Sequence, residues 1–181
     1  MNYFEVFELP QLLGIDTKAL EKKFHELSRK YHPDYFTIAP AAEKSRALRM
    51  TALLNDAYRT LRNPAKRVEY LLTLHGFKTD GSKVPQSLLM EVFEINEQLA
   101  EGNPGTLEQL KRQVHTRRET FDHKLDSATA RWDELLSKGA AQSDLKNHLS
   151  QLAEVLAESS YIQNLEDEIE GRQGHYFKGS H

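Results

Sequence analysis

Pro33, in the run Tyr31-His32-Pro33-Asp34, constrains this chain more than any other residue. Proline has no amide hydrogen and disfavours helical geometry in the residue before it. The segments on both sides carry helical apolar spacing, so one helix must end near Tyr31 and another must begin further on. Between them the chain presents His32, Pro33 and Asp34 on a loop. Functional loops are usually held by rigid elements on either side, and both flanks here read as rigid. On spacing alone, a plain helix stop followed by an Asp turn residue is the more frequent reading. The surrounding residues shift that balance.

Upstream, Tyr3, Phe4, Val6, Phe7 and Leu9 form a short apolar segment ending at Pro10, read as a short first helix. Asp16 suits an N-cap, with a carboxylate that accepts from free amides of the first turn. Ile15 before it and Leu20 at the fourth helical position fit a hydrophobic staple. Leu20, Phe24, Leu27 and Tyr31 then make one apolar stripe. The other side carries Lys18, Lys22, Lys23, Arg29 and Lys30, with Glu21 and Glu26 between them. A solvated face is the default for such charges, and an acidic partner is the sharper reading. Beyond the loop, Pro40 suits a helix's first turn. The helix to about Leu61 places Ala47, Met50, Leu54, Ala57 and Leu61 on one face. Asn63-Pro64 reads as an N-cap with proline at N1, opening a helix that contains Val68, Tyr70, Leu71 and Leu74. Gly76 closes it in the usual C′ place.

Thr79 to Pro85 has turn composition and reads as a linker. In the next stretch, Leu88, Val92, Ile95 and Leu99 make a core stripe. Leu89, Met90 and Phe93 add a second apolar strip, bordered by Glu94 and Glu97. That strip is either buried in a bundle or exposed for binding, and pattern alone leaves both open. Gly102 to Gly105 is a turn cluster, and Thr106 with Gln109 has capping-box spacing. Leu110, Val114, Phe121, Leu125, Ala128, Trp132 and Leu135 predict a long helix ending at Gly139, its later steps close to a coiled-coil seam. Leu145, Leu149, Leu152, Leu156, Ile162, Leu165 and Ile169 predict a last one. The expected fold is all-α. A helical hairpin with short flanking helices occupies 1–76, a linker 77–84, and a three-helix bundle 85–170. A tail at 171–181 ends in Gly179-Ser180-His181, read as a possible expression scar.

Composition narrows the function classes. The 181 residues include no cysteine, which removes disulfides, thiolate metal sites and cysteine nucleophiles. The eight histidines show no close metal-binding pair. His32 and Asp34, two apart across a proline, are poorly placed to share a proton, so no enzyme and no cofactor is expected. No apolar run approaches the ~20 residues that span a membrane, and the N-terminus reads as lacking a secretion signal. Residues 1–76 hold twelve Lys and Arg against nine Asp and Glu, whereas 77–181 hold twelve against eighteen. Such asymmetry suits two units with different partners. Lys111, Arg112, His115, Arg117 and Arg118 form a local basic cluster in the acidic half. They read as a solvated helix face rather than a nucleic-acid site.

The basic second helix, the His32-Pro33-Asp34 loop between two helices, and Asn63-Pro64-Ala65-Lys66-Arg67 leading into the last helix together resemble a J-domain, the co-chaperone module that activates DnaK-type ATPases. Tyr35 is a departure, since many J-domains carry a basic residue there. With Arg67-Val68-Glu69-Tyr70-Leu71-Leu72, His75-Gly76-Phe77 and the bundle beyond, the chain to about residue 170 is similar to the HscB family of iron–sulfur cluster assembly. That resemblance implies that the first unit acts on an HscA-type ATPase through His32, Pro33, Asp34, Lys22, Arg29 and Lys30. It implies that the bundle binds an IscU-type scaffold protein through Leu89, Met90, Phe93, Glu94, Glu97 and an aromatic at Tyr161. Phe93 replaces what is often an aliphatic residue. The expected setting is the bacterial cytoplasm, and the expected state a monomer. A J-domain fixes the class of ATPase and not the cargo, so a different client is the rival reading.

Overall fold

The computed structural model describes the backbone of residues 1–77, 97 and 104–178, and side chains over 1–77, 97, 107–167, 169 and 170. Among these residues every regular element is helical and no strand occurs. The all-α expectation holds. Six α-helices run Tyr3–Val6 (α1), Thr17–Lys30 (α2), Ala41–Arg62 (α3), Pro64–Leu74 (α4), Pro104–Ser137 (α5) and Gln142–Lys178 (α6). A 3-10 turn over Pro33–Phe36 follows α2. Of the expected bundle, the segment between the linker and α5 lies outside the described residues, apart from Glu97.

The local signals act as their chemistry requires. Asn2 and Glu5 form a reciprocal capping box at α1. Asp16 accepts from the amides of Lys18 and Ala19 at 2.9 and 3.1 Å. Asn63 accepts from Lys66 N–H at 3.0 Å, with Pro64 at N1 of α4. Gly76 and Gly139 take positive φ, 77° and 63°, just beyond the ends of α4 and α5. One boundary differs from expectation: Pro40 occupies the N-cap of α3 rather than its first turn, because its ψ of 151° is still extended.

Cross-helix pairs give the topology. Phe24 stacks on Tyr58 at 4.3 Å, the Tyr58 hydroxyl donates to Glu21 at 3.4 Å, and Thr51 Oγ1 donates to the Tyr31 carbonyl at 3.1 Å. As one number rises the other falls, so α2 and α3 are antiparallel. The same test applies to α5 and α6. Arg118 meets Glu166 at 2.5 Å, Lys124 meets Glu158 at 3.0 Å, and His148 Nε2 lies 2.7 Å from the Ala128 carbonyl. The α5 helix has 34 residues, a rod of about 50 Å.

The two halves share one core. A contiguous buried cluster runs from Phe4 and Leu13 through Leu54, Leu61, Val68 and Leu72 to Phe121, Trp132, Leu152 and Ile162. Helix α4 is the shared element, since it packs on α3 within the first half and on α5 and α6 of the second. Val68, Leu71 and Leu72 are fully buried along it, whereas Leu74 is left 38% exposed.

A polar joint accompanies this packing. The loop Gln11–Gly14 lies between α4 and α5, and its backbone groups are satisfied by side chains from both. Arg67 is only 5% exposed, and its guanidinium donates to the carbonyls of Leu61, at 2.6 Å, and Leu13. Asp133 of α5 accepts from Leu13 N–H and Gly14 N–H, each at 2.7 Å. Trp132 Nε1 donates to the Gln11 carbonyl at 2.9 Å, and its ring meets His75 edge-on at 5.6 Å. Burial pulls the Arg67 guanidinium below its ordinary pKa, and the Asp133 charge partly opposes that. A β-carbon at Gly14 would sit 2.8 Å from the Asp133 carboxylate, so this approach needs a residue without a side chain.

Two stability predictions follow from this packing. Asp133→Ala leaves two loop amides without their acceptor and should cost about 2 kcal/mol, or roughly 4–8 °C in Tm for a chain of this size. An unchanged melting curve would mean that Arg67 and Trp132 hold the loop unaided. Tyr161 is 2% exposed and belongs to the same core cluster. Tyr161→Ala should therefore cost about 3 kcal/mol by urea unfolding. A variant of wild-type stability would place the ring on the surface instead.

Candidate docking loop and the family of the chain

The loop is built by the end of α2. Tyr31 caps that helix, its amide bonded to the Leu27 carbonyl at 3.0 Å. Its own carbonyl accepts from Thr51 Oγ1, which fixes the loop's start to α3. His32 then leaves the helix with extended geometry, φ −61° and ψ 130°, as a residue before proline should. Pro33 opens the 3-10 turn, and Tyr35 N–H bonds back to the His32 carbonyl at 3.0 Å. Thr37 Oγ1 donates to the Asp34 carbonyl at 3.3 Å. The loop is thus tied to α3 at its start and braced internally.

Its functional side chains face outward. The His32 and Asp34 side chains are 55% and 83% exposed. His32 Nδ1 accepts from Asp34 N–H at 3.3 Å, which leaves Nε2 to carry the ring proton and donate to a partner. Nδ1 also lies 3.5 Å from Asp34 Oδ2, a contact that becomes an ion pair only in the imidazolium. The backbone bond uses the Nδ1 lone pair, so it selects the other tautomer. The Asp34 carboxylate keeps open acceptor sites for a cationic group. A shallow recess of about 560 Å³ is lined by His25, Ser28, Arg29, His32, Asp34 and Tyr35. It offers cationic and anionic walls together.

The basic residues divide. Lys22, Arg29 and Lys30 are exposed, and Arg29 and Lys30 sit in the last turn, where the helix dipole favours cations. Lys30 also lies 5.5 Å from the Tyr31 ring centre. Lys23 is committed elsewhere, 2.6 Å from Glu8. That pair holds the Glu8 carboxyl below its ordinary pKa. The structure therefore brings His32, Asp34 and Arg29 to one recess, with Lys22 and Lys30 exposed on the same helix.

The second candidate surface is mostly out of view. Leu89, Met90, Phe93 and Glu94 lie outside the described residues, whereas Glu97 is helical and exposed. Tyr161, expected as a surface aromatic, is instead buried. Arg117 Cζ sits 5.4 Å from the centre of its ring, and Ile162 and Leu165 beside it in sequence are buried as well. Its ring belongs to the buried core cluster. The basic cluster on α5 is spent on neighbours: Lys111 pairs with Glu108, His115 faces Glu119, and Arg118 binds Glu166. Among the described residues no three His, Asp or Glu side chains gather as a metal site. Among them, too, no helix is long and apolar enough to cross a membrane.

Comparison with known proteins agrees with this geometry. Residues 2–70 match the DnaJ domain family, and residues 84–170 match the family described as HSCB C-terminal oligomerisation domain. Chaperone HscB from Vibrio cholerae is similar at 27% identity and a TM-score of 0.75, with 97% of this chain and 99% of that one covered. The human co-chaperone protein HscB is similar at 26% identity and a TM-score of 0.73, over 96% of this chain and 82% of that one. The two family matches fall on the two halves described above, the first containing the His32-Pro33-Asp34 loop. The chain belongs to the HscB family of J-domain co-chaperones.

Proposed function

We propose that this protein stimulates ATP hydrolysis by an HscA-type member of the DnaK family and delivers an IscU-type scaffold protein to it, supporting the maturation of iron–sulfur proteins. The observation that carries the reading is the outward-facing His32-Pro33-Asp34 loop, fixed between α2 and α3 with its donor and acceptor unspent. The chain performs no chemistry of its own in this reading. The exposed cations Lys22, Arg29 and Lys30 draw in an acidic ATPase surface and speed association in a salt-dependent way. His32 Nε2 and the Asp34 carboxylate then make directional bonds, the latter charge-assisted with a cationic partner group. Pro33 limits the loop's freedom, so little ordering is lost on docking. The partner's hydrolysis-competent conformation is favoured to the extent that it binds this loop more tightly than the alternative does.

The scaffold is held on the second unit through Leu89, Met90, Phe93, Glu94 and Glu97, an assignment that rests on family resemblance. The same resemblance adds the aromatic Tyr161. Holding client and ATPase on one chain raises their effective concentration for each other. The protein acts as a monomer in a bacterial cytoplasm.

Two measurements test the division of labour. His32→Gln should abolish stimulation of the HscA-type ATPase in a turnover assay while scaffold binding, followed by calorimetry, stays intact. Loss of both in a folded variant would sink the division. Leu89→Ala with Phe93→Ala should weaken scaffold binding by at least about tenfold, as buried interface anchors do, and leave the melting temperature and the basal stimulation unchanged. A lowered melting temperature with unchanged binding would make them core residues and reopen the identity of the client.

A further inference from the structure

The recess beside the docking loop continues into a feature that the basic helix does not explain. The 3-10 turn over Pro33–Phe36 places side chains three apart nearly above one another. Thr37 keeps helical geometry, and Ala39 N–H bonds back to the Phe36 carbonyl at 3.1 Å, so the winding persists past the turn. Tyr35 and Ile38, three apart along this winding, therefore fall in one row, and His32 stands just before it. The Tyr35 ring meets the His32 ring edge-on at 6.2 Å. Tyr35 is 71% exposed and Ile38 99% exposed. Isolated exposed apolar residues need no explanation. Here two large ones stand within four residues, in a row just beyond the docking histidine.

We propose that Tyr35 and Ile38 form an apolar extension of the docking loop, selecting a DnaK-type ATPase whose facing surface carries apolar side chains beside its carboxylates. This inference rests on reading His32-Pro33-Asp34 as the ATPase-docking loop. The row is continuous with that loop, Arg29 lines the same recess as Tyr35, and Lys22 and Lys30 are exposed cations on the preceding helix, which fixes the carboxylate part of the partner's chemistry. The apolar part follows from position 35. A basic residue there would be drawn to carboxylates over a distance, and salt would screen it. Tyrosine instead offers a rigid ring that loses little rotamer freedom on contact and keeps its attraction at high salt. Basic helix and apolar row then divide the work. The charges set the encounter rate with any acidic ATPase of the class, and the row discriminates among them through lifetime.

The test uses the full chain and three proteins: wild type, Tyr35→Lys with Ile38→Ser, and His32→Gln. Both positions of the double variant are solvent-exposed, so its melting temperature should equal that of wild type. ATP turnover is followed against co-chaperone concentration for an HscA-type ATPase and for a general DnaK-type ATPase, at low and at high ionic strength. The double variant should need about tenfold more protein for half-maximal stimulation of the HscA-type partner. It should lose its preference for that partner over the general one, and its remaining stimulation should vanish first at high salt. Unchanged half-maximal concentration and preference, with His32→Gln inactive, would overturn the apolar extension and leave the docking loop standing. Full stimulation by His32→Gln would instead remove the loop reading, and the extension with it. Sedimentation covers the remaining occupant. A wild-type dimer that the double variant dissolves without any change in stimulation would assign the row to a second copy of this chain and overturn the proposal.

Discussion

The loop Gln11–Gly14 is where the two halves of this molecule become one. Of its residues Leu13 is buried and the others are partly or fully exposed, and side chains from α4 and α5 take up its backbone donors and acceptors. Arg67 takes two carbonyls, Asp133 takes two amides, and Trp132 takes the Gln11 carbonyl. An arginine is rarely buried without such service. The partly exposed Asp133 carboxylate also offsets part of Arg67's desolvation. Apolar packing accompanies these bonds, through Val68, Leu71 and Leu72 on one helix face.

Much of the fold was legible because local rules agree with one another. Caps at Asp16 and Asn63, the stop at Pro33 and the glycines 76 and 139 each bound a helix whose apolar spacing says the same. Of the expected stripe, Leu110, Val114, Phe121, Leu125 and Trp132 are buried, whereas Ala128 and Leu135 are only partly so. The joint was not legible. Arg67 stands in a run of mixed charge and reads as a surface residue, and Asp133 sits among Arg131, Glu134 and other exposed charges. Nothing local marks a partner some 120 residues away in sequence, as Leu13 is from Asp133. His148 was equally silent. A lone histidine on a leucine-rich helix gives no hint that its ring bridges to the Ala128 carbonyl at 2.7 Å and to Gln151 at 3.0 Å.

The site shows the same division. His32, Pro33 and Asp34 could be found because proline punctuates helices and two polar residues flank it. Their exposure and the Nδ1 acceptor bond needed coordinates. Tyr161 shows how little sequence says about the depth of a side chain. An aromatic among Ile162, Leu165 and Ile169 is compatible with a core stripe or its border, and here the ring is turned inward toward Arg117. Lys23 illustrates the converse. It shares the basic face by spacing, yet Glu8 claims it from a residue held at positive φ in the preceding loop. Charge counts along a helix overstate the charge that a partner meets.

A fixed joint has a consequence for any protein that presents two partners to each other. With a flexible linker, the effective concentration of one partner near the other falls as the linker lengthens. With a shared core there is no such dilution, but only one geometry is served. The docking loop lies at the far end of α2 and α3, whereas the joint is made by α4 and the loop before α2. Between them lie the stacked Phe24 and Tyr58 rings and the Thr51 bridge to Tyr31, so the loop's position is set by packed helices and not by a tether. Rigidity of this kind makes position on the loop consequential. A partner delivered at one angle meets the same side chains each time, and a residue such as Tyr35 can then act as a selector rather than as one more transient contact.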